Sequence, residues 1–266
     1  MLAPDSVGRT FAGADAIAIS QSEIDAFAAV IGETDTSIAP PTFTIRISLD
    51  QFQSNQDFIK IMPINIHYSL LPKYRGASPI QSSLLNGDCI SGITFMKMSE
   101  ELDDGDCIKQ YELNIKNNHN KITLEKDLCD LSITKIFEIL DMVKEEKYTL
   151  IEQDNNSATY CKKINKSEAM ISFNETADEI YNKFKAYYEW PGICFEHKNI
   201  TVKIKEMSVI DDIEGDLNDK NIMINKNALY IRTSNKTIVI TYLQMPNKNI
   251  ISSSDAFNAY KDYFNE

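Results

Sequence analysis

Two polar side chains at the end of a predicted buried strand are the first candidates for chemistry. Asn65 and His67 stand two residues apart and follow a mostly apolar run over residues 58–64. Residues i and i+2 of a strand point to the same face, so the amide and the imidazole are expected to converge on one site. Pro72 then ends the strand, because proline provides no N–H to a central ladder.

A carboxylate completes the candidate set. Asp103 follows a second apolar strand and stands in an acidic turn, residues 100–106. Its side chain is expected to return to the imidazole of His67 and to hold the orientation and charge of that ring.

An amide, an imidazole and a carboxylate together suit acyl transfer to an amine. His67 would take the proton from the attacking nitrogen, Asn65 would donate to the developing oxyanion, and Asp103 would stabilise the imidazolium. The alternative is that His67 is a structural histidine with satisfied hydrogen bonds and Asp103 a turn residue. Spacing alone favours this second interpretation, because one such triplet is a weak signal.

The sequence around these residues resembles that of the folate-dependent formyltransferase family, and within it the methionyl-tRNA formyltransferases. The resemblance is carried by Asn65-Ile-His67-Tyr-Ser69-Leu-Leu-Pro72-Lys-Tyr-Arg75-Gly76-Ala-Ser-Pro79-Ile-Gln81, then Gly92-Ile-Thr94, then Leu102-Asp103-Asp-Gly105-Asp106. It extends over about residues 60–266 and lacks most of the family's N-terminal part.

The resemblance implies roles for individual residues. Asn65, His67 and Asp103 would be catalytic; Asp103 is preferred to Asp104 because the family's carboxylate directly follows the leucine of its Leu-Asp-x-Gly turn. No metal is implied. The residues implied in substrate and folate binding are Ser69, Leu70, Leu71, Pro72, Arg75 and Gly76.

The implied reaction moves a formyl group from formyl-tetrahydrofolate to the amino group of methionyl-initiator tRNA. A nucleotide-sugar amine is an alternative acceptor. Because most of the family's N-terminal part is missing, a catalytically inactive fragment or scaffold with a formyltransferase-like core is the other interpretation.

Composition is ordinary for a globular protein. Of 266 residues, 43% are hydrophobic and 25% charged. The five cysteines are scattered and form no C-x-x-C pair, which indicates a reducing compartment and argues against a disulfide frame or a zinc site. We see no signal peptide and no apolar run long enough to span a membrane. These features predict a cytoplasmic protein with no membrane or metal partner. We also expect a monomer.

The first 50 residues differ from the rest in composition. They contain nine alanines but no lysine or asparagine, whereas the other 216 residues hold eight alanines. Gly8-Arg9-Thr10-Phe11, a predicted helix over 22–31 and Ile38-Ala-Pro-Pro-Thr-Phe43 resemble the N-terminal piece of a MaoC-like hot-dog dehydratase. All three histidines lie outside this segment, so dehydratase activity is not expected. We expect 42–49 to form a strand that docks on the following domain.

The remaining elements predict an α/β fold in two parts. Residues 51–150 would form a truncated formyltransferase core, a partial doubly wound (Rossmann-like) sheet covered by a helix over 130–147 that Asp130 or Ser132 caps. Residues 152–157 read as a polar linker, and 158–266 as a small antiparallel, OB-like β-barrel. Within that part, Thr176 and Glu179 form a capping box, and 254–264 reads as a terminal helix. His119, in a polar loop, is expected to be solvated.

Charge argues against strong non-specific binding of nucleic acid. The net charge is −12, and residues 151–266 carry 14 basic and 17 acidic side chains. A local basic patch on the predicted barrel is still expected if the following residues lie together: Lys162, Lys163, Lys166, Lys203 and Lys205.

Overall fold

The computed structural model describes the backbone of residues 43–49, 60–211 and 221–265. Two compact units are present. The first takes the described residues up to Ser83 together with Cys89–Asn117 and Thr123–Lys163; the second takes Leu84–Asp88, Asn118–Ile122 and the described residues from Ile164 onward. The predicted helix over 22–31 and the rest of the MaoC-like segment before residue 43 lie outside the described residues.

The first unit is built on a four-stranded sheet of order β1-β2-β4-β5, whose neighbours all pair antiparallel. A separate two-stranded ladder joins β3 and β6 in parallel. The strands are β1 (Phe43–Leu49), β2 (Lys60–His67), β3 (Arg75–Gly76), β4 (Ile90–Lys97), β5 (Cys107–Asn114) and β6 (Tyr160–Cys161). The strand predicted over 42–49 is therefore present, and it borders β2.

The two central strands are covered on both faces. In β4 every residue from Ser91 to Met96 is buried, and in β2 the last four residues are buried as well. Such continuous burial is typical of α/β sheets, in which helices cover the faces. The predicted α/β class is confirmed. Within the described strands of this sheet the pairing is antiparallel, because the chain turns back after β2 and again after β4.

Two helices belong to this part of the chain, α1 (Pro79–Leu85) and α2 (Lys121–Lys144). The prediction that α2 begins near residue 130 was wrong. Its buried stripe already starts at Leu124 and Leu128, and the Asn120 side chain accepts from the Ile122 N–H at its start (3.0 Å). Ser132, a predicted cap, lies mid-helix and donates to the Leu128 carbonyl.

The prediction for His119 was also wrong. Its side chain is 3% exposed and therefore not solvated. A polar sequence around a residue does not fix its burial, since the residue next to a helix start can turn inward.

The second unit is a six-stranded antiparallel sheet of order β7-β8-β11-β10-β9, with β12 on β11. The strands are β7 (Ile193–His197), β8 (Ile200–Ile210), β9 (Ile222–Ile224), β10 (Leu229–Arg232), β11 (Thr237–Gln244) and β12 (Ile250–Ser252). This confirms the antiparallel architecture predicted for the C-terminal part. Alternating apolar residues had predicted strands over 201–204, 221–224, 229–232 and 237–243, whereas β7 and β12 had not been predicted.

Helices α3 (Ala177–Ala186) and α4 (Ser253–Asn265) complete the second unit. The predicted capping box opens α3: Thr176 Oγ1 accepts from the Glu179 N–H at 3.2 Å, and Glu179 Oε2 accepts from the Thr176 N–H at 2.7 Å. The terminal helix is present with Phe264 buried. No helix in the described parts of the chain has the length and apolarity to cross a bilayer.

Candidate active site

The end of β2 places the amide and the imidazole as the strand period requires. Asn65 and His67 occupy alternate positions of β2, opposite Met96 and Thr94 of β4. Their side chains are 4% and 3% exposed. Asn65 Oδ1 has no hydrogen-bond partner among the described residues, which is unusual for a buried polar atom.

The loop that follows His67 is held from the neighbouring strand. Thr94, itself fully buried, donates through Oγ1 to the Ser69 carbonyl at 2.7 Å and accepts from the Leu71 N–H at 3.1 Å. Gln110 Nε2 donates to the Leu71 carbonyl at 2.6 Å and to Thr94 Oγ1 at 3.0 Å. The Ser69 hydroxyl donates to the Lys73 carbonyl within the loop. These bonds fix the path of the chain directly beyond the imidazole.

One contact decides which nitrogen of His67 can act as a base. Nε2 lies 2.8 Å from the carbonyl oxygen of Tyr74. A carbonyl can only accept, so Nε2 carries the proton in the neutral ring. The lone pair therefore sits on Nδ1, and this nitrogen faces Asp103 Oδ2 at 3.7 Å. The ring can take up a proton on the side where the carboxylate stands.

Asp103 is brought to this position by the turn between β4 and β5. Its φ of 51° lies in the left-handed region, and its Oδ2 accepts from the Gly76 N–H at 2.8 Å. At 3.7 Å the carboxylate is too far from His67 for a direct hydrogen bond and acts through its charge. Asp104 is engaged elsewhere, because its carboxylate accepts from the Ser99 hydroxyl.

Gly76 owes its identity to a close approach. Its φ is 114°, and a Cβ there would stand 2.2 Å from the Cys161 carbonyl oxygen. Only glycine combines this backbone conformation with that proximity. The parallel pairing of β3 with β6 and the Gly76 N–H that holds Asp103 both depend on it.

Burial sets the protonation of His67. Desolvation lowers the pKa of His67 below its ordinary value of 6.5, while the Asp103 charge and the hydrogen bond to the Tyr74 carbonyl oppose this effect. The ring is therefore neutral at neutral pH and available as a proton acceptor.

A cavity of about 570 Å³ opens over these groups within the first unit. This volume lies in the range of small-molecule sites, roughly 300–1,000 Å³. Four of the predicted site residues line it, namely His67, Arg75, Gly76 and Asp103. Its other lining residues are Ile66, Tyr68, Ala77, Pro79, Leu102, Tyr160, Cys161, Lys162 and Lys163.

The remaining predicted residues do not line this cavity. Asn65 lies one residue before the lining starts, and the side chain of Leu71 is buried in a cluster with Met96 and Cys107. The other three, Ser69, Leu70 and Pro72, belong to the loop held by Thr94. Their part in substrate and folate binding stays a prediction.

Arg75 lines the cavity but is almost fully buried in its wall. It is 2% exposed; its Nε donates to Gln153 Oε1 at 3.0 Å, and its guanidinium stands 6.0 Å from the centre of the Tyr160 ring. One Nη has no hydrogen-bond partner within the described part of the chain. No group of three metal-ligating side chains occurs among the described residues either.

Sequence reasoning missed the contribution of residues 152–163, which had been assigned to a linker and to the C-terminal domain. Four of them line the cavity. Thr159 accepts at its carbonyl from the Arg75 N–H at 2.8 Å and at its hydroxyl from the Tyr74 N–H at 2.8 Å. These partners are 84 and 85 residues away along the chain, so no local pattern could have revealed them.

Comparison with protein families and known proteins gives consistent matches. Residues 56–140 match the family model described as formyl transferase, and residues 163–261 match the model described as formyl transferase, C-terminal domain.

Two similar proteins are named methionyl-tRNA formyltransferase. The one from Caldicellulosiruptor saccharolyticus is 38% identical over 200 residues, covering 74% of this chain and 64% of the relative. The one from Finegoldia magna is 33% identical over 220 residues, covering 82% of this chain and 71% of the relative. The chain thus spans less than two thirds of the first relative and more than two thirds of the second.

Among solved structures, one that matches is WlaRD, a sugar 3N-formyltransferase crystallised in the presence of dTDP and 5-N-formyl-THF. The TM-score is 0.55 at 24% identity, over 70% of this chain and 66% of that one. At this identity the likeness concerns the fold alone.

Proposed function

This chain belongs to the formyl transferase family, and on that premise we propose that it transfers a formyl group from formyl-tetrahydrofolate to the amino group of methionyl-initiator tRNA. The observation that carries the proposal is the placement of the His67 Nδ1 lone pair opposite Asp103 Oδ2 in a ligand-sized cavity.

The chemistry follows from these positions. The substrate amine attacks the formyl carbon of the donor, a C–N bond forms, and the proton lost by the amine passes to His67 Nδ1. The Asn65 amide donates to the oxyanion of the tetrahedral intermediate, where positioned donors have their largest effect. The carbon–nitrogen bond to the folate then breaks, and the proton on Nδ1 moves to the departing nitrogen. Asp103 stabilises the imidazolium between these two transfers.

The protonation of His67 supports this assignment. A base that is protonated at neutral pH could not accept the proton of the amine, and burial prevents this by lowering the pKa of the ring. The hydrogen bond from Nε2 to the Tyr74 carbonyl keeps Nδ1 as the accepting nitrogen.

The acceptor is proposed from the relatives named methionyl-tRNA formyltransferase. A nucleotide-sugar amine is the second candidate from the sequence, and the fold shared with WlaRD does not decide between the two. The acidic balance of −12 predicts that any tRNA contact is local, because the chain has no overall basic field.

A direct test offers the purified chain both acceptors with formyl-tetrahydrofolate as donor. Mass spectrometry of the released methionine and of the amino sugar reports which amine gains the formyl group. We expect formyl-methionine from the tRNA. Formylation of the sugar alone would move the proposal to the second acceptor, and binding of the donor without any transfer would favour the inactive scaffold.

A further inference from the structure

We propose that Gln153 is a positioning residue of this site, an inference that rests on the proposed function for its kinetic consequences. Its buried amide closes a ring of hydrogen bonds that fixes the Asp103 carboxylate opposite Nδ1 of His67. Gln153 touches neither the imidazole nor the attacking groups in our account and acts only through Asp103 and Arg75.

The amide of Gln153 is engaged at both ends. Its Oε1 accepts from Arg75 Nε at 3.0 Å, and its Nε2 donates to the carbonyls of Asp103 at 3.0 Å and Gly105 at 2.7 Å. The residue is 6% exposed although its neighbours in sequence are polar and exposed. A glutamine placed this deeply with both N–H groups bonded has a defined partner set and is not a solvated linker residue.

These bonds form a closed ring. From Asp103 Oδ2 the ring runs to the Gly76 N–H, along the chain to the neighbouring Arg75, from its Nε to Gln153 Oε1, and from Gln153 Nε2 back to the Asp103 carbonyl. Both the side chain and the backbone of Asp103 are therefore tied to the same loop. A closed ring restricts motion more than separate contacts do, because no member can rotate without breaking a bond elsewhere.

Asp103 needs such support for two reasons. Its backbone has a φ of 51°, a conformation that is unfavourable for residues with a Cβ. Its carboxylate makes no direct hydrogen bond to His67, so the 3.7 Å separation is set by the surroundings and not by the pair itself. The Gln153 bonds to the carbonyls of Asp103 and Gly105 hold the backbone of this turn, and the Gly76 N–H holds the carboxylate.

The segment that carries Gln153 is itself anchored. Ile151 exchanges two backbone hydrogen bonds with Cys107 at 2.8 and 2.9 Å, at the start of the strand that follows the Asp103 turn. Eight residues later Thr159 bonds to the loop at Tyr74 and Arg75. The segment that carries Gln153 is thus hydrogen-bonded both to the start of β5 and to the loop that follows β2.

The test is the titration of His67 in a variant that removes the amide and keeps the side-chain length, Gln153→Met. The full chain has three histidines, so their ring signals can be followed individually by NMR and assigned with single substitutions. Asp103 is the charged group that raises the pKa of His67. The other titratable groups that line the same cavity are Tyr68, Arg75, Tyr160, Cys161, Lys162 and Lys163.

We expect the pKa of His67 to fall in Gln153→Met, in the same direction as in Asp103→Asn and by less, because a released carboxylate spends less time opposite Nδ1. The kcat for formyl transfer should drop about 10- to 100-fold with the KM for the donor nearly unchanged, as expected for a misplaced catalytic group. When Gln153→Met is combined with Asp103→Asn, kcat should fall little below that of Asp103→Asn alone, because both substitutions act through one carboxylate.

Gln244→Met is the matched control. Gln244 also donates its amide to a backbone carbonyl, that of Lys248 at 2.9 Å, in a hairpin of the second unit. It should change neither the His67 titration nor kcat.

A folded Gln153→Met whose His67 titrates as in the unsubstituted chain would overturn the proposal, and lower thermal stability without a change in titration would do the same. If Gln153→Met does not fold, Gln153→Asn, which keeps the amide but shortens its reach, must show a smaller shift of the same sign. The titration needs no turnover. An unsubstituted chain that transfers no formyl group therefore contradicts the proposed function, while the role of Gln153 is decided separately.

Discussion

His67 experiences two opposing influences at the scale of single residues. Burial lowers its pKa, and the Asp103 carboxylate and the Tyr74 carbonyl raise it, with burial dominant. In the proposed reaction, the ring must be neutral to accept a proton from the amine, and the Asp103 carboxylate would stabilise the imidazolium that then forms.

Asp103→Asn tests this balance through pH. The substitution removes the charge that raises the pKa of His67, so the pKa falls further and the acid limb of kcat/KM moves to lower pH. The plateau rate should fall at the same time, because the imidazolium loses its counter-charge. A pH–rate profile gives both quantities.

The neighbouring Asp104→Asn is the control for charge alone, since Asp104 is bonded to Ser99. Asp104→Asn should leave the acid limb of kcat/KM at the same pH. An acid limb that stays fixed or rises in Asp103→Asn would contradict the electrostatic role of Asp103.

Asn65 is proposed to act in the chemistry, and its buried amide oxygen contributes no hydrogen bond to the described structure. Replacing the amide by a similar apolar group should therefore not destabilise the fold. For Asn65→Leu we expect a thermal midpoint equal to or above that of the unsubstituted chain, and a loss in kcat of roughly 10²- to 10³-fold, the scale for one oxyanion donor. A large loss of stability with near-normal kcat would show that Asn65 is structural.

At the scale of elements, the loop after β2 depends on its neighbour β4. Thr94 holds the Ser69 carbonyl, the Leu71 N–H and the Gln110 amide with one hydroxyl. Thr94→Val keeps the shape of the side chain but leaves the buried Ser69 carbonyl and Leu71 N–H without the partner that Thr94 provides. This should reduce the free energy of unfolding by about 1–3 kcal/mol and also slow turnover, because the loop carries Tyr74.

Chemical denaturation checks the prediction, with Thr134→Val as its control. Thr134 is exposed on α2, and its hydroxyl donates to the Asp130 carbonyl of the preceding turn. Thr134→Val should change the free energy of unfolding by no more than about 0.5 kcal/mol. Equal effects of the two substitutions would mean that Thr94 does not organise the loop.

The elements that sequence predicted well are those whose signal is local. Short-range rules predict the strands β10 and β11 from their alternating residues and the capping box at Thr176. They also predict the alternate positions of Asn65 and His67 on one strand. The two-residue strands β3 and β6 were not predicted, because their pairing joins segments 85 residues apart. Gln153 was missed for the same reason: its partners Arg75 and Asp103 are 78 and 50 residues away, and its own neighbours are polar.

At the scale of the whole molecule, the described part of the unusual N-terminal segment is a strand of the first sheet. β1 pairs along its full length with β2, the strand that ends in His67. Without it β2 would be an edge strand, which invites association between copies. We therefore expect the N-terminal segment to remain bound to the rest of the chain.

Cleavage at a protease site inserted after Ser54 tests this expectation. The N-terminal piece should co-elute with the remainder during gel filtration, because the β1–β2 hydrogen bonds persist after the cut. Separate elution of the piece, with a soluble and intact remainder, would show that the segment is an undocked tail.

The most direct test of the central claim compares the unsubstituted chain with His67→Ala in one formyl-transfer assay with formyl-tetrahydrofolate and methionyl-initiator tRNA. We predict formyl-methionine from the unsubstituted chain and a rate at least about 100-fold lower for His67→Ala, the usual scale for loss of a general base. Equal rates for the two folded proteins would contradict the assignment of His67 as the base.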